Sequence, residues 1–140
     1  MSLPLNVVGI AFFKNHSLLI SKSHNCAHNN LYTLVGGKVN PGEDIYDAAV
    51  RECREEISPY FDIHCSDLEE VMEVYEVAAS DKSILIHLHI FISKKEIDVP
   101  FISSTEILDY KWYTKDMEDY FLAPSVKNDF LDYALKNNLL

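Results

Sequence analysis

The glycine pair Gly36-Gly37, the Pro41-Gly42 turn and the acid-rich helical pattern of residues 44–57 constrain this chain more than any other stretch. Asp44 and Asp47 put carboxylates at the expected helix start, where they can accept unpaired backbone N–H groups and sit well on the positive end of the helix dipole. Ser58-Pro59 ends the helix, because the residue before a proline is pushed out of the α region. At about 100° per residue, Ile45, Ala49, Cys53 and Ile57 form one apolar stripe. Glu52 and Glu56 fall within or beside that stripe, and Glu55 lies on its flank next to Ala48. An ordinary amphipathic helix turns its acids to solvent. Here two or three carboxylates share the face that should meet the protein. Crowded, half-buried carboxylates resist ionisation, so the arrangement calls for a proton, an arginine or a cation. Arg51 can cover one charge. Oxygen-only ligands on a rigid helix suit a hard ion such as Mg²⁺ or Mn²⁺. The competing interpretation is a solvated acidic helix end paired to Arg51 and Arg54.

The spacing favours the first interpretation. Gly37, five residues, Glu43, seven residues, Arg51-Glu52, two residues and Glu55-Glu56 resembles the signature of the Nudix hydrolases. Ser58 stands where that signature has glycine, Pro59 where it has an apolar residue, and Val35 where the preceding strand usually ends in proline. An acid several residues before a tryptophan, here Glu106 and Trp112, is a further common pattern of the family.

The resemblance implies an α+β fold, the Nudix-type α/β/α sandwich with a mixed β-sheet. This agrees with strands and helices that mix without regular βαβ alternation. It also implies hydrolysis of a phosphoanhydride in a nucleoside diphosphate derivative, with Mg²⁺ as cofactor and Mn²⁺ as a substitute. Metal ligands would be Glu52, Glu55, Glu56 and the Gly36 carbonyl. The catalytic set would be Glu52, Glu55, Glu56, Arg51 and Glu106, with Glu55 or Glu106 as the base and Arg51 pairing with Glu43. Gly37, Lys38 and Glu43 would border the substrate. A small chain with a Gly-Gly-Lys segment resembles the MutT-like enzymes, which convert nucleoside triphosphates, oxidised purine forms included, to monophosphate and pyrophosphate. An ADP-ribose or dinucleotide pyrophosphatase is the alternative enzyme. A nucleotide-sensing module without turnover is the alternative outside enzymes.

Net charge bears on partners. At −10, the chain is unsuited to nucleic acid or anionic membrane surfaces, which attract basic patches. A nucleotide substrate would be repelled too, unless divalent cations bridge its phosphates to the acids. With 140 residues, the chain is long enough for one domain with a substantial core. No apolar run approaches the ~20 residues of a membrane helix, and the basic start of a signal peptide is missing. Cys26, Cys53 and Cys65 are odd in number and lack paired spacing, which points to reduced thiols and a cytoplasmic setting. Oligomeric state is left open, a homodimer included.

Along the chain, residues 6–13 read as a strand, 14–16 as a turn and 17–21 as its antiparallel return. Residues 23–30 read as a polar loop. His24, Cys26 and His28 alternate there, but a fourth metal ligand is missing nearby. Residues 31–35 are expected to be a strand running into a glycine loop that uses positive φ or close backbone approach. A short strand over 60–64 follows the helix, then a long hairpin of 69–79 and 84–93 turning at 80–82. On its second arm Ile84, Ile86, Leu88, Ile90 and Ile92 share the core face, and Leu85, His87, His89 and Phe91 share a mixed one. His87 and His89 read as packing or hydrogen-bonding groups, with base stacking or acid/base work as the sharper alternative, and Tyr75 likewise. Residues 94–104 form a loop and 106–113 a strand. Ser125, after Pro124, is expected to cap a last helix burying Val126, Phe130, Tyr133 and Ala134.

Overall fold

The computed structural model describes residues 4–23, 31–77, 83–102 and 107–140. Seven strands occur among them: β1 (Leu5–Ala11), β2 (Phe13–Lys14), β3 (Ser17–Ser23), β4 (Val35–Lys38), β5 (Leu68–Val77), β6 (Leu85–Ser93) and β7 (Ile107–Tyr113). Helix α1 is Ile45–Glu56. A π-helical turn over Ser125–Phe130 runs into α2, Leu131–Lys136. The larger sheet has the order β4-β1-β6-β5 and is mixed: β1 runs parallel to β6, while β4 and β5 pair antiparallel on its two edges. A second sheet, β2-β3-β7, is antiparallel.

Alternation along β1 and β6 sends apolar side chains to both faces of the larger sheet, so each face needs a cover. On one face Val8, Ile10 and Phe91 pack with Ala48, Ala49, Cys53 and Ile57 of α1 and with Phe61 and Ile63. On the other, Ile86, Leu88 and Ile90 pack with Leu18 and Ile20 of β3 and with Val126, Phe130 and Ala134 of the last helical segment. This is the expected α+β sandwich, helix on sheet on helix. No helix among the described residues is long and apolar enough to cross a membrane.

Four local expectations are corrected. Gly36 and Gly37 do not form a loop: they are the middle of β4, in register with Gly9 and Val8 of β1, and neither has positive φ. The strand expected over 31–35 is only two isolated bridges, Thr33 to Ser21 and Tyr32 to Leu122, with β4 starting at Val35. No strand forms over 60–64: Phe61 and Ile63 alternate inward as in a strand, but their amides bond locally to Ser58 O and Phe61 O, and their rings and methyls fill the space under α1. Ser125 makes no side-chain cap; it lies buried inside the last helical segment, which begins with Pro124, and Tyr133 is only half-buried there. The 80–82 turn, the His24, Cys26 and His28 loop, and Glu106 lie outside the described residues.

Candidate active site

Loop chemistry sets the entry to α1. Asn40-Pro41-Gly42-Glu43 is a tight turn: Glu43 N–H donates to Asn40 O at 3.0 Å, and Gly42 has φ +77, the left-handed position that follows proline in a type II turn. Asp44 then caps the helix, its Oδ2 accepting from Tyr46 N–H at 2.9 Å. The turn also returns Glu43 onto its own loop, where Oε1 accepts from Asn40 N–H at 3.0 Å.

Arg51 gathers this loop, the strand and the helix. Its Nε and one terminal nitrogen grip both oxygens of Glu43 at 2.9 Å, the planar two-point pairing that lysine cannot make. The same terminal nitrogen donates to Lys38 O at 2.8 Å, and the other donates to Glu52 Oε1 at 2.9 Å and reaches Glu55 at 3.4 Å. The guanidinium and the turn amide hold the Glu43 carboxyl far below the usual range, at about 2. The Glu43 and Glu52 carboxylates hold the guanidinium charged at any pH the protein would meet.

Glu52 and Glu56 are buried beside β4, at 8% exposure each, whereas the Glu55 side chain is half exposed. The reason is at the strand. A Cβ on Gly37 would stand 2.6 Å from Glu52 Oε1, so only glycine leaves room for that carboxylate. Gly36 N–H donates to Glu56 Oε2 at 3.2 Å. In a strand the N–H and C=O of one residue point to the same side, so the Gly36 carbonyl is turned to the acids as well. Burial pushes the Glu52 carboxyl up; a hydrogen bond shared with Glu56 and the bond from Arg51 pull the other way, and the Glu55 charge adds to the rise. Two buried, hydrogen-bonded carboxyls and a strand carbonyl turned toward them offer oxygen donors beside β4, with the exposed Glu55 carboxylate farther out on the same helix. Oxygen donors of this kind suit a hard divalent cation.

The C-terminal end of α1 is tied down by groups that the helical pattern could not announce. Tyr110 O–H of β7 donates to the Glu56 carbonyl, and Phe101 stacks on Tyr110 with ring centroids 4.5 Å apart. Ile102 N–H donates to Ile57 O at 2.6 Å. Residues 106–113 read as a strand, but no local signal says which loose carbonyl a strand tyrosine will reach.

A cleft of about 170 Å³ opens on the opposite face of the larger sheet. Leu5, Val7, Ile86 and Leu88 form its apolar floor, Leu34 and Val126 its walls, and Ser23, Thr33 and Ser125 bring hydroxyl-bearing side chains. Gly36, Gly37 and exposed Lys38 form its rim. The structure therefore brings Gly36, Gly37, Lys38, Glu43, Arg51, Glu52, Glu55 and Glu56 to one edge of the sheet.

The family model described as NUDIX domain matches residues 3–132. The chain belongs to the Nudix family. Solved structures share its fold at low identity. A MutT protein from Methanosarcina mazei Go1 superposes with a TM-score of 0.76, at 19% identity over 98% of both chains. A MutT NUDIX hydrolase from Burkholderia pseudomallei gives 0.74, at 17% identity over 90% of this chain and 95% of the other. An Ap4A hydrolase from C. elegans gives 0.61, at 20% identity over 96% and 91%. No curated protein matches the chain significantly. As a Nudix pyrophosphohydrolase by family, this chain holds Glu52 and Glu56 of α1 in direct contact with the glycines of β4.

Proposed function

We propose that this Nudix hydrolase binds a nucleoside triphosphate, oxidised purine forms included, across the edge of β4 and hydrolyses it to monophosphate and pyrophosphate, using Mg²⁺ or Mn²⁺. The observation that carries this reading is the double duty of one strand segment. Gly36 and Gly37 border the acid cluster on the α1 side and rim the apolar cleft on the other. A nucleotide has the matching polarity: an apolar, flat base with a few hydrogen-bonding edges at one end, and a charged polyphosphate at the other.

Glu52 and Glu56, with the Gly36 carbonyl and Glu55, would hold the cation. When bound, the ion supplies charge neutralisation of the phosphate oxygens, polarisation of phosphorus and a lowered pKa for water. The chain supplies the rest. The cleft holds the base between apolar side chains, and its hydroxyl-bearing side chains select hydrogen-bonding edges. Lys38, exposed at the rim, meets phosphate charge. Glu55 is the one carboxylate of the three with wide solvent access, so it takes the proton from the attacking water as the new P–O bond forms and the anhydride P–O bond breaks. Arg51 positions Glu52 and Glu55 and locks the loop through Glu43.

The test is product analysis with Mg²⁺ over a panel of triphosphates, ADP-ribose and dinucleotides, comparing wild type with Glu56→Gln. Pyrophosphate from triphosphates, falling at least a hundredfold in the variant, is the expected result. Monophosphate release from dinucleotides alone would move the assignment to the dinucleotide class, to which the Ap4A hydrolase neighbour lends support. Equal, negligible release from both proteins would identify a binding module.

A further inference from the structure

A second group of metal-ligating side chains lies on the same sheet face as the acid cluster, built from β5 and β6. His87 Nε2 is 2.8 Å from Glu73 Oε1, and His89 Nδ1 is 3.8 Å from the same oxygen and 2.7 Å from Glu70 Oε2. The donor atoms of Glu73, His87 and His89 all lie within 4.8 Å of one another. Neighbouring ligands of a tetrahedral ion bound at ~2.1 Å stand about 3.4 Å apart, so these spacings bracket what one ion needs.

Two features of the backbone and the neighbours point to a built site. Glu70 and Glu73 are three residues apart, which in a regular strand puts them on opposite faces. A register shift between Glu70 and Met72 takes up Val71 as an extra residue, so Glu70 faces Phe91, Glu73 faces His89 and Tyr75 faces His87. All three then look to the α1 side, where Phe91 packs. A bulge that re-aims a side chain in this way is a common device at sites. The second feature is at His89, which is 7% exposed. Its Nε2 is 3.3 Å from Asn6 Oδ1. Nδ1 is the atom turned to the carboxylates, and the amide oxygen is placed to accept from Nε2–H when an ion takes the place of any hydrogen on Nδ1. A ligating histidine whose second nitrogen donates to a fixed oxygen has its ring oriented for metal.

We propose that Glu73, His87 and His89, with Glu70 as fourth ligand or partner of His89, form a binding site for a borderline-soft divalent ion of the Zn²⁺ class. Two imidazoles and carboxylates select such an ion over Mg²⁺. The site is distinct from the acids on α1: Gly37, Val8 and His89 are in register across β4, β1 and β6, which is two strand spacings, or roughly 10 Å. A bound ion would clamp edge strand β5 to β6. It would also fix the outer platform made by Tyr75, which is 61% exposed and stacked on His87 at 4.3 Å.

Cobalt titration of the full chain tests this, because Co²⁺ in a four-coordinate site with imidazole ligands absorbs far more strongly in the visible than Co²⁺ in a six-coordinate oxygen site. The titration is run in a Glu52→Gln/Glu56→Gln background to silence the acid cluster. One equivalent with intense absorption, displaced by Zn²⁺ and not by excess Mg²⁺, is expected. Glu73→Gln on the exposed edge strand and His87→Asn at a half-buried position should each abolish the band, and Asn6→Ala should weaken binding roughly tenfold to a hundredfold. Uptake without an intense band, no uptake, or an identical band in either Glu73→Gln or His87→Asn overturns the proposal.

Discussion

The Glu52 carboxylate occupies the space into which a side chain at Gly37 would project, 2.6 Å from the ideal Cβ position. The glycine is required by an acid on another element, and the acid is inward because that glycine is there. At Gly36 the obstacle is different: a Cβ would stand 1.9 Å from the Val8 carbonyl oxygen, which is backbone. The two neighbouring glycines therefore make separable predictions. Gly37→Ala pushes a side chain aside and should leave the fold intact while lowering Mg²⁺-dependent turnover by about tenfold to a hundredfold, the range for disturbing a ligand's support. Gly36→Ala forces backbone apart and should cost about 1–3 kcal/mol in urea unfolding, as overpacking does. A Gly37→Ala protein with full turnover would show that Glu52 need not sit where it does.

Arg51 meets three requirements at once: both oxygens of Glu43, the Lys38 carbonyl, and the Glu52 and Glu55 carboxylates. Arg51→Lys keeps the charge and loses the fork. Turnover should fall at least tenfold, with a higher Mg²⁺ concentration needed for half-maximal rate, because Glu52 loses its orienting partner. Near-normal rate and metal demand in the lysine variant would reduce Arg51 to a source of charge.

Much of this edge was legible in the sequence because helical periodicity is local. Asp44 as cap, the buried stripe of Ala49, Cys53 and Ile57, and the inward Glu52 and Glu56 all follow from α1 alone. What glycine is for was not legible. A sequence cannot separate a glycine needed for positive φ, as at Gly42, from one needed for close approach, as at Gly37. The strand expected over 60–64 failed because Phe61 and Ile63 point inward with no partner strand, and nothing local announces the bulge that places Glu70 and Glu73 on one face. The cleft was invisible for a further reason. Ser23, Thr33 and Ser125 meet only after the bridges from Thr33 to Ser21 and from Tyr32 to Leu122 bring distant segments together.

Acid should act on the Glu43–Arg51 pair over a defined window. Glu43 has a folded-state value of about 2 against an ordinary 4.5. A depressed carboxylate stabilises the fold fully above the ordinary value, and that contribution fades as pH falls toward the folded one. Glu43→Gln removes the contribution. The stability gap between wild type and Glu43→Gln, measured by urea unfolding, should be largest near neutrality and shrink progressively from about pH 5 to pH 2. A gap that stays constant over this range would mean that the pair contributes through packing rather than charge.

Glu52 should behave in the opposite sense. Burial is the largest influence on its carboxyl and raises it above the ordinary value. For an acid shifted upward, the folded state holds its proton longer than the unfolded state does. The group therefore weighs against folding above its folded-state value, and the penalty is relieved as pH falls toward the ordinary range. Glu52→Gln retains an oxygen that can accept from Arg51 while removing the charge. In chelator-treated protein at neutral pH, this variant should melt at a higher temperature than wild type. Addition of Mg²⁺ should reverse the order, because wild type gains binding energy, about 2.7 kcal/mol at a hundred times the dissociation constant, and the variant gains little. Turnover should fall at least a hundredfold. An acid that weakens the fold is the expected cost of a buried cation site of the kind proposed for Glu52. Melting curves that rank the two proteins identically with and without Mg²⁺ would show that the ion does not use Glu52.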